Sequence, residues 1–378
     1  MNKLELLTVT IAALGLAMSA AHASESTLYG TIDLGVVHAT GMATGSQSEL
    51  VSGSDFPSEI GVKGEENIGS SNTVFYKIAT GFCAAGAFSD GKTSSLPSSG
   101  FCTGGGFMGR TSMLGAKGAY GSLSAGRFLL PVYTNASAID PFHNGATGAI
   151  TNLNRAVSAF NYLRESQLLE YKTPALRGLS ATLVYGFGAM PGGMNPGSIK
   201  HISINYRQGP LYAGASYLTQ DYVTSKALAS GAIRTGSSTR NEIDQIFAKY
   251  DFGPMTIDGM YQIFKSGFPG STFTPAAGSI AGMDNKFWTV GATVPLGNGD
   301  FGVSYAATKD SHVADSGAKL YAIGYTYGLS KATRLYTSVS HLSNDSAAAY
   351  GVHDASNTFT ATSGATANGF AIGLRHSF

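Results

Sequence analysis

The sequence predicts an all-β protein: a transmembrane antiparallel β-barrel of sixteen strands, with short periplasmic turns and long extracellular loops. Three observations carry the prediction. First, positions 370–378 alternate. Phe370, Ile372, Leu374 and Phe378 fall on one face, and Ala371, Gly373, Arg375 and Ser377 on the other, the period-two mark of a strand with one apolar side. Second, only 12% of residues are charged, while there are 50 Gly, 19 Tyr and 20 Phe. That charged share is about half the usual value and dresses a soluble globule poorly, but it suits a wall whose outer face meets lipid. Third, the connecting segments alternate between short and long along the chain.

The strands follow in order. The first alternating segment is 28–36, with Leu28, Ile32, Leu34 and Val36 on one face. Segments 58–66, 72–82, 110–119, 121–127, 166–173, 178–188 and 201–207 repeat the pattern. They are followed by 211–218, 243–252, 256–264, 287–295, 301–307, 320–329, 333–342 and 369–378. Tight turns rich in Gly, Pro or Asn are expected at 67–71, 119–121, 174–177, 208–210, 253–254, 297–299 and 329–331. Long loops are expected at 40–57, 83–106, 128–157, 221–240, 266–284 and 344–367, with shorter ones at 189–197 and 309–317. In lipid every backbone N–H and C=O needs an internal partner, so the strand ending at Phe378 should pair with the one around Leu28 and close the sheet.

Residues 1–23 read as a cleaved secretory signal peptide. Lys3 gives a weakly basic start, 6–18 an apolar stretch, and Ala21-His22-Ala23 a small-residue cleavage site. Residues 24–378 then form one domain, since no linker or composition break interrupts them. No later apolar run is long enough for a transmembrane helix. The two cysteines, Cys83 and Cys102, bracket a Gly/Ser-rich stretch, and in an exported protein such a pair reads as a disulfide. Zinc would need more ligands than this neighbourhood offers, so no metal or other cofactor is expected. A net charge of +1 gives no reason to expect nucleic acid.

Four segments resemble the Gram-negative general porins, in particular the trimeric sixteen-stranded porins of β-proteobacteria. They are Thr27-Leu28-Tyr29-Gly30-Thr31-Ile32-Asp33, Ile60-Gly61-Val62-Lys63-Gly64-Glu65-Glu66-Asn67-Ile68-Gly69, Tyr120-Gly121-Ser122-Leu123-Ser124-Ala125-Gly126-Arg127 and Gly373-Leu374-Arg375-His376-Ser377-Phe378. The last resembles the family's terminal assembly signal, read by the barrel-assembly machinery. The resemblance implies a homotrimer in the Gram-negative outer membrane, among lipid and lipopolysaccharide, with a water-filled pore narrowed by the third long loop. Here that loop is 128–157, and its only acid, Asp140, is a candidate for the acidic side of the aperture. It reads equally as an ordinary turn aspartate before Pro141.

Parity places the other charges. With Ile60 and Val62 facing lipid, Glu59, Lys63 and Glu65 point into the lumen; so do Lys77, Lys117, Glu170 and Lys172, while Arg375 lies opposite the lipid-facing Phe378. A lipid-facing Lys or Arg at mid-depth would cost about 2–4 kcal/mol. Arg110 breaks the parity and is expected at a rim or bulge. Arg127 and Arg155 flank the third loop and either line the aperture or tether it. Members of the resembled family often carry arginine where Glu59 and Glu170 stand, and a basic residue near Thr111. The exchange leads to the expectation of a weakly selective or cation-preferring pore.

The expected function is passive diffusion of small hydrophilic solutes and ions, without catalysis. A substrate-selective uptake channel for organic anions or sugars is the alternative, and a surface-binding barrel a more distant one. The histidines are scattered and form no nucleophile or metal motif, which argues against an outer-membrane hydrolase.

Overall fold

A computed structural model describes residues 25–43, 45–85, 107–154, 164–189, 193–227, 233–269, 281–352 and 361–378. The expected signal peptide, Arg155 and Cys102 lie outside the described residues. The strands are β1 (Glu25–Met42), β2 (Gly45–Ser52), β3 (Glu59–Gly69), β4 (Asn72–Gly81), β5 (Thr111–Gly118) and β6 (Gly121–Leu129). One helix, α1 (Pro131–Ile139), and a 3-10 turn at Ile150–Asn152 follow. Then come β7 (Arg164–Lys172), β8 (Leu179–Gly186), β9 (Ile199–Gln208), β10 (Leu211–Ala227), β11 (Ile233–Asp251) and β12 (Thr256–Pro269). The last are β13 (Ala281–Leu296), β14 (Gly299–Asp310), β15 (Ala318–Gly328), β16 (Thr333–Asn344) and β17 (Thr366–Ser377).

All strand pairings are antiparallel, and the sheet closes on itself. β17 pairs with β1 from Thr31↔Ser377 to Thr40↔Asn368, and Gly30 and Phe378 exchange both backbone hydrogen bonds at 3.0 Å. No sheet edge is left to face lipid, where an unpaired backbone group would cost several kcal/mol. Among the described residues no helix is long and apolar enough to cross a membrane; strands do the crossing.

The seventeen segments fill sixteen positions. β1 pairs with β2 through Leu34–Met42 and with β3 through Glu25–Thr31, so β2 and β3 are two halves of one strand. Residues 53–58 leave the wall between them. This corrects the expected long loop at 40–57: most of it is a hairpin, and only the 53–58 excursion is irregular. The polar run Gly45-Ser46-Gln47-Ser48-Glu49 hides the strand, because above the lipid neither face needs to be apolar. The expected loops at 221–240 and 266–284 shrink for the same reason, since β10–β13 run on past the apolar band.

Side chains sort by face. Ile204, Ile246, Val290, Ile323, Val339 and Ile372 are exposed on the outside, where lipid would cover them. Inside, Ser203, Ser216, Gln245, Gln262, Thr289 and Ser338 are buried. They are covered by the segment after β6, whose Leu130, Val132, Ile139, Ile150 and Leu153 pack on Leu218, Ile243, Phe287, Leu320 and Leu342 from the wall.

Candidate functional site: the pore aperture

The chain turns inward after β6. Pro131 opens α1 at a position where a missing N–H costs nothing, and Pro141 forbids its continuation. Val132, Asn135, Ala136 and Ile139 are buried, the one-face spacing of a helix lying on a wall. Asn135 Nδ2 donates to Ser203 Oγ at 3.1 Å and Ser216 Oγ at 3.0 Å, and Tyr212 donates to Asn135 Oδ1 at 3.2 Å. Gln245 Nε2 donates to the Val132 carbonyl at 3.0 Å. Lys249 reaches the Ala138 carbonyl at 3.2 Å, a cation at the negative end of the helix.

Past α1 the loop follows the wall. Gly291, Gly302 and Gly324 present no side chains where Pro141 and Phe142 lie: a Cβ on Gly291 would stand 2.6 Å from Pro141 Cγ, and one on Gly324 would stand 2.7 Å from Phe142 Cε1. Thr147 binds Ser338 Oγ through both its N–H and its hydroxyl, and Gln262 Nε2 donates to Asn154 Oδ1 at 2.7 Å.

Asp140 organises this path and does not face the pore. Its side chain is fully buried and accepts backbone N–H bonds from Phe142, Asn144 and Ile150, each at 3.0 Å. Burial pushes its carboxyl up, and those three donors pull it back. The aperture reading of Asp140 is therefore corrected to the turn-aspartate reading, enlarged to three bonds.

The 53–58 excursion clasps the far end of the loop. The Ala146 N–H donates to the Ser54 carbonyl at 2.6 Å. Asp33, buried on β1, accepts from Ser54 N, from Phe56 N and from Tyr336 Oη at 2.8 Å. Arg375 pairs with Asp55 at 2.7 Å. Burial pushes the Asp55 carboxyl up, opposed by the Arg375 and Arg334 guanidinium groups. Beside this clasp lies a cavity of about 80 Å³ bordered by Asp55, His143, Asp300, Arg334 and Arg375.

The charges of the β3–β7 wall are largely paired. Arg110, expected at a rim, is buried in the wall and bonds Glu59 at 2.5 Å. Glu170 is 4% exposed, with Lys172 at 2.9 Å. Lys117 binds Glu65 at 2.7 Å near the short-turn rim. Arg127 acts as a tether, donating to the Gly109 carbonyl at 2.6 Å and to Ser166 at 2.9 Å. Lys63 and Lys77 stand opposite each other across β3 and β4. Both lie over the Tyr29 ring, at 5.6 and 5.1 Å, and neither has a carboxylate partner among the described residues.

Parity assigned these charges to the inward face, but it could not tell which were neutralised, because pairing partners such as Glu59 and Arg110 are 51 residues apart. Asp33, Asp55 and Arg334 were missed. A lone acid on the inward face of a strand, as Asp33 is, was the available signal. Among the described residues no cluster of three or more His, Cys, Asp or Glu could hold a metal.

Residues 8–347 match the family model described as Gram-negative porin. The chain is 27% identical to outer membrane porin protein 32 of Delftia acidovorans, with 100% of each covered. It is 25% identical to an outer membrane porin protein of Bordetella pertussis, covering 96% of this chain and 97% of that one. Among solved structures, the anion-selective porin from Comamonas acidovorans superposes with a TM-score of 0.77 at 23% identity, covering 94% of this chain and all of that one. The trimer form of OmpT of Vibrio cholerae gives 0.65 at 15% identity, covering 94% and 100%.

Proposed function

The chain belongs to the Gram-negative porin family, channels for passive diffusion across the outer membrane, and from that premise we propose a homotrimer whose lumen passes small hydrophilic solutes and ions with a preference for anions. The observation carrying the preference is the pairing of charges. Glu59 and Glu170 are each matched by a cation, while Lys63 and Lys77 have no carboxylate partner among the described residues. This supports a positive free charge on that wall, in place of the weak or cation-leaning selectivity expected from the sequence. Charge rings in a narrow pore bias permeation electrostatically.

Support for the trimer comes from the outer surface. Tyr171, Tyr206, Tyr217, Tyr250, Trp288 and Tyr327 are exposed on the lipid side of β7–β15, as the aromatic belts of a lipid-facing wall require. The outward positions from β16 through β1 to β6 are instead mostly aliphatic, among them Leu28, Ile32, Val36, Leu114, Leu335 and Val339. An aliphatic sector suits packing against a second copy. Planar-bilayer recording of purified protein is expected to show stable steps closing in threes and a reversal potential of anion-selective sign in a KCl gradient. A barrel used only for surface binding would conduct little.

We propose further that residues 1–23 are removed on export, that the strand ending at Phe378 is read by the assembly machinery, and that Cys83 pairs with Cys102. The pairing is supported by Cys83 carrying no free thiol in a chain with one other cysteine. Non-reducing peptide mass mapping should find the two cysteine peptides joined, and two alkylatable thiols would refute it.

A further inference from the structure

Three lysines cluster on the outer surface of β13–β15, toward the long-loop rim. Lys286 and Lys309 are directly opposed in the ladder. Lys319 opposes Ala307, the next outward position below Lys309. All three are exposed, and none has an ion-pair or hydrogen-bond partner among the described residues. Asp284, the outward acid next above Lys286, is opposed to Lys265 instead. Like charges facing each other across a ladder repel and destabilise the pair, so the arrangement asks for an anion from outside the chain.

The height of the cluster says where that anion resides. From Leu296, at the short-turn end of β13, to Lys286 is ten residues, roughly 33 Å of strand and, at a tilt near 40°, roughly 25 Å of rise. Lys309 lies ten residues above Gly299 and Lys319 nine above Gly328, so the three ammonium groups share one level. That rise equals the height of a barrel's apolar band, about 25 Å. The lysines thus stand where the outer-leaflet headgroups begin.

Just below them the outer face becomes aromatic. Trp288 contacts Tyr305 at 5.0 Å between ring centroids, and Tyr305 contacts Tyr321 at 4.8 Å. Charged side chains above flat apolar rings match the two ends of an amphiphile. The same strands lie in the sector assigned above to lipid rather than to a second copy.

We propose that Lys286, Lys309 and Lys319 form a docking site for a phosphorylated lipid headgroup of the outer leaflet, with its acyl chains lying over Trp288, Tyr305 and Tyr321. The proposal rests on the outer-membrane barrel reading and adds a lipid site outside the pore. Near a membrane surface each lysine contributes about a fivefold preference for an anionic lipid, which salt reduces.

Trp288 is the only tryptophan in the chain, so its fluorescence reports this site. The barrel would be reconstituted in phosphatidylcholine vesicles doped with either brominated phosphatidylglycerol or brominated phosphatidylcholine at the same mole fraction. Brominated phosphatidylglycerol is expected to quench Trp288 with an association constant about tenfold higher. Unbrominated diphosphoryl lipid A should relieve that quenching at a lower mole fraction than unbrominated phosphatidylglycerol does. The Lys286→Gln/Lys309→Gln/Lys319→Gln variant should bring the ratio of the two brominated lipids close to one, while Lys309→Arg keeps it. Equal quenching by both lipids in the wild-type protein would overturn the proposal, as would an unchanged ratio in the triple variant. Relief of quenching by millimolar inorganic phosphate would also overturn it, by making free phosphate the ligand. Ion flux through the same wild-type vesicles separates the two readings: flux without lipid preference removes only the lipid site, whereas absence of flux removes the channel.

Discussion

Asp140→Asn is expected to free the inward loop from the barrel wall and raise single-channel conductance. The carboxylate accepts three backbone N–H bonds, one on Oδ1 from Phe142 and two on Oδ2 from Asn144 and Ile150. Asparagine keeps one acceptor oxygen and puts an NH₂ group where the other stood. Whichever way the amide turns, at least one buried N–H meets a donor, and in one orientation two do. An unsatisfied buried donor costs about 1–3 kcal/mol, so the change weakens the loop by about 3 kcal/mol. The barrel itself should survive, because its ladder bonds are untouched. Larger and noisier current steps, with new protease cleavage between Pro141 and Ala149, would report the release. Wild-type conductance together with wild-type protease resistance would show that the wall contacts of Asn135, Gln245 and Thr147 suffice without Asp140.

The second large effect is expected from Lys63→Glu/Lys77→Glu, which should move the proposed anion preference toward cations. A unit charge about 7 Å from a permeating ion is worth about 0.6 kcal/mol at the dielectric constant of water, and salt near 0.1 M reduces this to about 0.25 kcal/mol. Replacing two positive charges by two negative ones changes the field by four units, about 1 kcal/mol against chloride and about 1 kcal/mol in favour of potassium, which together shift the chloride-to-potassium permeability ratio about thirtyfold. The shift is read from reversal potentials in a KCl gradient, and raising the ionic strength should shrink it. Neither lysine has a carboxylate partner among the described residues, so the exchange leaves no orphaned acid. An unchanged reversal potential would place the selecting charges elsewhere, with Arg334 beside the clasp the next to exchange.

The strands were legible in the sequence wherever they cross the apolar band, because lipid on one side and polar loop or water on the other impose strict alternation. Ile202 and Ile204 against His201 and Ser203 show the pattern directly. Legibility ended above that band. The stretch from Gly45 to Ser52 forms a strand with no apolar face, and nothing in its composition distinguishes it from a loop. Parity assigned Glu59, Lys63, Lys77 and Glu170 to one side of the wall, but it carried no information on which of these charges are paired. A carboxylate's contribution depends on what stands beside it, and Glu59 has Arg110 at hydrogen-bond distance while Glu170 has Lys172.

What the sequence determined by itself was the class of object: an exported, closed, lipid-crossing barrel with one long loop after 121–127. Those properties follow from local rules of period, turn chemistry and length, each legible within about ten residues. The tertiary structure alone decided the aperture. The loop's path depends on Asp140 satisfying three backbone donors, on glycines 291, 302 and 324 making room on three neighbouring strands, and on an excursion at 53–58 held by Asp33 and Tyr336 from β1 and β16. Asp33 and Tyr336 are 303 positions apart, and only closure of the sheet brings them together.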